Sequence, residues 1–166
     1  MEERNSVPFP QANDFEKIIK LLEVNEDKLK DNDYLKELLS LGTDRQISYY
    51  LSACEFLGLI LKRQFTEVAK ELKSVSNDTR VLKLSQLIVS MPVFGEVFFM
   101  RYYYNSNPTI DEISQMISIL YKIDNYEVCK RRASTVIKWL SWIDEQKDLL
   151  WESILEKHHY YFFLSF

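Results

Sequence analysis

The sequence predicts a mainly α-helical protein in which one order of elements runs twice. Three observations predict this: a composition of helix formers, a scarcity of turn residues, and two helices whose faces match. Leu, Lys, Glu and Ile fill long runs of the chain. Only 3 Gly and 4 Pro occur in 166 residues, too few for a turn-rich β-sandwich. Hydrophobic residues make up 46% and charged residues 28%, the balance of a globular protein. No window offers the roughly 18 uncharged apolar residues of a membrane span. The acidic start MEERNSVPFPQ lacks the basic-then-apolar order of a secretory signal. Cys54 and Cys129 sit inside apolar helical patterns without CxxC or CxxH neighbours. Two buried thiols in a reducing, cytoplasmic setting are therefore expected, with no disulfide and no metal frame.

Taken in order, residues 1–13 hold two prolines and no periodic pattern, and read as a flexible or docking arm. Asp14 then caps an amphipathic helix whose face is Phe15, Ile18, Ile19 and Leu22. A charged loop or short turn at 26–33 precedes a second helix, 33–41, ending at Gly42. Thr43 or Asp44 caps a third helix reaching Phe56. Leu57-Gly58-Leu59-Ile60-Leu61 changes period and reads as a strand turning at Lys62-Arg63-Gln64, with Phe65 on the return strand. Thr66 caps a closing helix, 67–73. Helix, helix, helix, hairpin, helix is the order of a winged helix-turn-helix module.

The polar run Ser74-Val-Ser-Asn-Asp-Thr79 reads as a linker over 74–80. Beyond it, 81–104 is an apolar helix or a helix pair broken near Pro92 and Gly95. A turn at 105–108 leads to Thr109, which caps a helix to Tyr121, and Asn125 opens another reaching about Trp142. The second module thus spans 81–143, and each module is expected to carry a short β-hairpin wing.

The third helices of the two halves superpose at an offset of 86 residues, Arg45 falling on Arg131. Ile47, Tyr50, Leu51 and Cys54 match Ala133, Val136, Ile137 and Leu140, each set one buried stripe. On the opposite face Arg45, Tyr49 and Ser52 match Arg131, Thr135 and Lys138. A recognition helix needs this division: one face anchors to its module, and the other offers Arg, Gln, Lys, Ser or Thr to bases and phosphates. Any surface helix also divides polar from apolar, so the repetition carries the functional weight. The net charge is −4, yet Lys130, Arg131, Arg132 and Lys138 lie within nine residues free of acids. That is a local basic patch suited to phosphate. The candidate DNA-binding residues are Arg45, Gln46, Ser48 and Tyr49 in the first half, and Lys130, Arg131, Arg132, Ser134, Thr135 and Lys138 in the second. Arg131 and Thr135 are expected to face a major groove, with Arg132, Ser134 and Lys138 flanking toward phosphates.

The stretch from Arg131 to Ile143, with its paired arginines, Thr135-Val136 and Trp139-x-x-Trp142, resembles a helix in winged-helix recognition modules of some type II restriction endonucleases. The first half is similar to their companion module: Thr43-Asp44-Arg45-Gln46 opens a helix with Tyr49-Tyr50, then Leu57-Gly58-Leu59-Ile60, then Thr66. The likeness covers roughly residues 14–143. It implies sequence-specific recognition of double-stranded DNA as part of a restriction system, with the nuclease in another domain or subunit. The sequence departs from the pattern in its negative net charge and in a first wing offering only Lys62 and Arg63.

No catalytic centre, cofactor site or metal site is expected. Glu145-Gln146-Lys147 matches one element of a Mg²⁺-dependent nuclease as letters, but it falls on a helix without the neighbouring strands that chemistry needs. His158 and His159 are adjacent and point to different faces, so they do not share a metal ion easily. Residues 144–166 read as a helix followed by the apolar run from Tyr160 to Phe166. Such a run packs on the modules, forms an interface such as a homodimer, or begins a further domain. The alternative function is a winged-helix scaffold that docks proteins, which the acidic balance suits. Whether Arg45, Arg131, Arg132 and Lys138 share one open face separates the two readings.

Overall fold

The computed structural model of the chain describes residues 8–146. Within them the protein is mainly helical, with one two-stranded antiparallel sheet. Helix α1 (Phe15–Glu23) buries Phe15, Ile18, Leu21 and Leu22 as a single stripe. A 3-10 turn at Glu26–Lys30 buries Leu29, in the stretch expected as a loop or short turn. Asp31 caps α2 (Asn32–Leu39) by accepting from the Tyr34 backbone N–H at 3.0 Å. Helix α3 (Asp44–Phe56) opens on a capping box between Thr43 and Gln46. Its buried face is Ile47, Tyr50, Leu51, Ala53 and Cys54.

Gly58, at φ +71°, leads from α3 into strand β1 (Ile60–Leu61). Its partner β2 (Gln64–Phe65) pairs Ile60 with Phe65 and Leu61 with Gln64. The two turn residues, Lys62 and Arg63, both have left-handed backbones, the geometry that matches the twist of a two-residue hairpin. Arg63 donates to the Leu29 carbonyl at 2.9 Å and to Asn32 Oδ1 at 2.7 Å, which holds the hairpin against the 3-10 turn and the start of α2. Thr66 caps α4 (Glu67–Ser74) and donates its hydroxyl to the Gly58 carbonyl at 2.7 Å. The described residues of the first half therefore follow the element order expected from the sequence.

The segment expected as a linker is not one. Ser76 accepts from the Thr79 N–H and caps α5 (Asn77–Val89), so only Val75 and Ser76 separate α4 from α5. A polar Ser-Asn-Asp-Thr string is also what a helix N-terminus looks like, and here that preference wins. Arg80 ties the two helices by donating to the Leu72 carbonyl at 2.9 Å, and Lys83 pairs with Glu71. Helix α6 (Pro92–Tyr102) meets α5 at 99° across Ser90 and Met91. No single described helix is long and apolar enough to cross a membrane. A Cβ on Gly95 would lie 2.4 Å from the Val89 carbonyl oxygen, so the tight corner depends on glycine there.

Thr109 and Glu112 form a second capping box at the start of α7 (Ile110–Tyr121), which packs along α8 (Tyr126–Glu145). The expected second wing is absent: among the described residues, none from 66 onward is in a strand. No Gly or Pro follows Pro108, so nothing interrupts α8 for its 20 residues. The two halves also share one core, a continuous set of buried residues from Phe9 to Ile143, in place of two separate modules.

The arm proves to be part of that core. Phe9, Pro10 and Ala12 are buried. The Phe9 ring stacks on Phe94 of α6 (5.4 Å, 8°) and meets the edge of Tyr121 of α7 (4.9 Å, 77°). It also lies 5.4 Å from Phe56 of α3. Trp139 Nε1 donates to the Ala12 carbonyl at 2.6 Å, and Thr135 Oγ1 to Asn13 Oδ1 at 2.8 Å. Pro10 has no N–H to leave unsatisfied, so an irregular segment is buried here at low cost. Of the segment 144–166, residues 147–166 lie outside the described residues, as do His158, His159 and any homodimer surface on the tail.

Two outcomes follow. Phe9→Ala is expected to destabilise by about 3–5 kcal/mol, the range for a buried aromatic; a urea denaturation curve that does not move would restore a loose arm. Gly95→Ala is expected to cost about 1–3 kcal/mol through overpacking against the Val89 carbonyl. Circular dichroism melts of the two variants against the parent check both.

Candidate functional site

Helix α3 begins on a free, solvent-facing end. Arg45 and Ser48 are exposed and Tyr49 is half-buried. Arg45 Nε donates to Tyr49 Oη at 2.7 Å, and its guanidinium lies 5.6 Å from that ring's centre, so the pair is held together one turn apart. Gln46 has a different task from the one expected. Its side-chain carbonyl accepts from the Gly42 and Thr43 N–H groups at 2.9 and 3.2 Å, closing the capping box. Ser48 Oγ donates to the Asp44 carbonyl at 3.0 Å. Lys36 pairs with Asp44 at 3.1 Å, and this contact with Lys36 holds the exposed Asp44 carboxyl below its ordinary pKa.

Helix α8 divides the second set of candidates between two faces. Arg131, Ser134 and Lys138, at i, i+3 and i+7, share one side, with Arg131 and Lys138 exposed. Lys130, next to that side, has its ammonium 5.7 Å from the Tyr126 ring. Ser134 Oγ donates back to the Lys130 carbonyl at 3.2 Å. Thr135 is fully buried and bonded to Asn13, so it cannot face a groove. Its apparent match to Tyr49 fails because the arm covers α8 at that point.

Arg132 is the other exception. It falls among the inward positions Cys129, Ala133, Val136 and Trp139, and not beside Arg131 and Lys138. Its Nε is buried without a hydrogen-bond partner among the described residues. Burial lowers the pKa of its guanidinium from the ordinary value. The four cations expected on one face therefore divide: Arg131 and Lys138 point out from α8, and Arg132 turns in.

Arg132 lines a cleft of about 210 Å³ that sequence reading missed. Its walls are Pro8, Phe9, Pro10 and Gln11 of the arm, Ser48, Tyr49 and Ser52 of α3, and Arg132 of α8. Three of the expected site positions, Ser48, Tyr49 and Arg132, thus meet beside the arm. The sequence held a signal for this in Pro8-Phe9-Pro10, an aromatic flanked by prolines, which reads as a seated segment as readily as a loose one. Cys54 and Cys129 are both free and buried, and burial pushes both thiols above the usual range. Among the described residues no group of three or more His, Cys, Asp or Glu is placed to hold a metal ion.

Neither the curated proteins nor the solved structures contain a match to this chain. One family model matches residues 17–148, from α1 to just beyond the end of α8. The matched span takes in α1 from Lys17 onward, the other seven described helices and the hairpin, while the Phe9 segment precedes it. The chain belongs to the family described as the domain of unknown function DUF7226.

Proposed function

We propose that the protein recognises duplex DNA with the exposed N-terminal half of α3, and that the outer face of α8 adds phosphate contacts. The observation that carries this is the place of α3: third in a helix, helix, helix, hairpin, helix order, with Arg45 and Ser48 open to solvent and Tyr49 beside them. On this reading the first half is a winged-helix module and the second is a wingless helical companion that extends the contact through Lys130, Arg131 and Lys138. The unit reads DNA and carries no catalytic centre of its own; a nuclease domain or subunit supplies the chemistry, as in a restriction system. The hairpin adds little charge, because Arg63 is fastened internally and only Lys62 of the turn is free to reach a phosphate. A net charge of −4 makes the contact depend on these few cations, so binding is expected to fall steeply with salt.

A second reading, a scaffold that docks proteins, draws on a different observation. Tyr103 and Tyr104 after α6, and Ile119 and Leu120 near the end of α7, are exposed apolar groups.

Gel shifts against a pool of random duplexes at about 50 and 150 mM salt test the DNA reading. Arg45→Ala is expected to relax base preference at one position, the effect of losing an arginine–guanine contact worth about 1–3 kcal/mol. Lys138→Ala is expected to weaken all duplexes alike and reduce the salt slope by about one. Absence of any shift at the lower salt, or indifference to both substitutions, makes docking of proteins the better account.

A further inference from the structure

We infer that the cleft between the arm, α3 and α8 is a pocket for a single nucleobase, filled by a base turned out of the duplex that α3 engages. This rests on the DNA reading above and gives that reading a specific ligand. Four features carry it.

The first is size. At about 210 Å³ the cleft is smaller than the roughly 300–1,000 Å³ of sites for drug-sized ligands. One heterocycle is the scale of group it holds.

The second is the character of its walls. Phe9 and Pro10, both buried, back an apolar side, and the half-buried Tyr49 offers an aromatic one. Flat rings are held against such surfaces by stacking, which every base accepts because every base has a π-face.

The third is the unmet demand of Arg132. A guanidinium has only donors; Arg132 is half-buried in the wall of the cleft, and because its enclosed Nε has no acceptor among the described residues, a ligand meets the side chain at its exposed part. A ligand that completes the site must bring acceptors on the edge of a ring. Purine N7 and O6, or pyrimidine O2 and N3, have that chemistry, and paired acceptors suit the fork of an arginine. Gln11 and Ser52 line the same cleft, and their side chains have both donors and acceptors for the remaining edge.

The fourth is position. Tyr49 is shared: it lines the cleft and it is hydrogen-bonded to Arg45 on the open end of α3. A duplex laid against that end is one helical turn from the mouth of the cleft, so a base swung from its stack has a short path in. Extrusion costs a few kcal/mol and is easiest at a mismatch, where pairing is already weak.

The test uses the full chain and 20-base-pair duplexes carrying one 2-aminopurine opposite a mismatch. 2-Aminopurine brightens when it leaves the stack, and anisotropy of an end label on the same duplex reports binding independently. With the duplex saturated, a severalfold rise in 2-aminopurine fluorescence is expected. Arg132→Gln, which keeps the stem of the side chain, and Ser52→Leu, which fills the mouth, are each expected to abolish most of that rise in duplexes that are still saturated by anisotropy. Saturated binding with no rise overturns the pocket while leaving the DNA reading in place, and so does a rise that both variants retain. If anisotropy shows no binding at all, the DNA reading itself has failed. The four nucleoside monophosphates, titrated against the intrinsic tryptophan signal, then decide the cleft. Saturable quenching weakened at least tenfold by Arg132→Gln supports a base pocket, and no saturable response overturns it.

Discussion

Phe9 is the point on which the two halves of the chain converge. Its ring touches Phe56 from α3, Phe94 from α6 and Tyr121 from α7, and none of these aromatics is near it in sequence. Four residues on, the same strand of chain is fastened a second time, where Trp139 and Thr135 of α8 donate to Ala12 and Asn13. Trp139 is fully buried and stacks on Phe94 at 5.0 Å, while Phe15 sets its ring edge-on to Trp139 at 5.1 Å. Trp142 adds a bond from its Nε1 to Glu16 at 2.7 Å. A short irregular segment thus acts as a wedge that joins α1 and α3 to α6, α7 and α8. Buried aromatics carry large apolar areas, and their edge and face contacts add specificity to that burial.

The consequence for function is geometric. Seating the arm beside α8 covers Thr135 and turns Arg132 into a cleft, so the inward face of this helix serves the core. Its outward face keeps Arg131 and Lys138 for solvent or for a charged partner. On α3 the division runs the other way along the chain: the capping box absorbs Gln46, and Arg45 and Tyr49 remain as a joined pair at the free end. Arg132 is half-buried with its Nε enclosed and unbonded among the described residues, which carries a desolvation cost. The cleft beside it gives that cost a physical setting, since a ligand with ring acceptors relieves it.

Much of this was legible in the sequence where local rules decide. Thr43, Thr66, Thr109 and Asn125 each cap the helix they were expected to cap, because a side-chain oxygen before an apolar period satisfies free N–H groups wherever the helix lies. The hairpin followed from the change of period at Leu57 and the polar Lys62-Arg63-Gln64, of which Gln64 proves to lie in the return strand. What was not legible depended on distant partners. Nothing within residues 1–13 announces Phe56, Phe94 or Tyr121, so an unpatterned stretch with two prolines read as an arm. The match of α3 to α8 held for the buried stripe of Ala133, Val136 and Leu140, which periodicity alone fixes. It failed at Thr135 and Arg132, where a third element lies over the helix. Ser74 to Thr79 reads equally as linker or helix cap until α5 is seen to continue from α4, and that ambiguity alone turned one core into two expected modules.

The central claim is that the described chain is one cooperative unit fastened by the arm. Native-state hydrogen exchange at low denaturant tests it most directly, because it gives an opening free energy for each amide and separates global from sub-global unfolding. The slowest amides of α1 and α3 are expected to open with the same free energy and the same denaturant slope as those of α7 and α8. Two groups of amides, one in α1 to α4 and one in α5 to α8, with distinct free energies, would contradict the account and restore two independent modules.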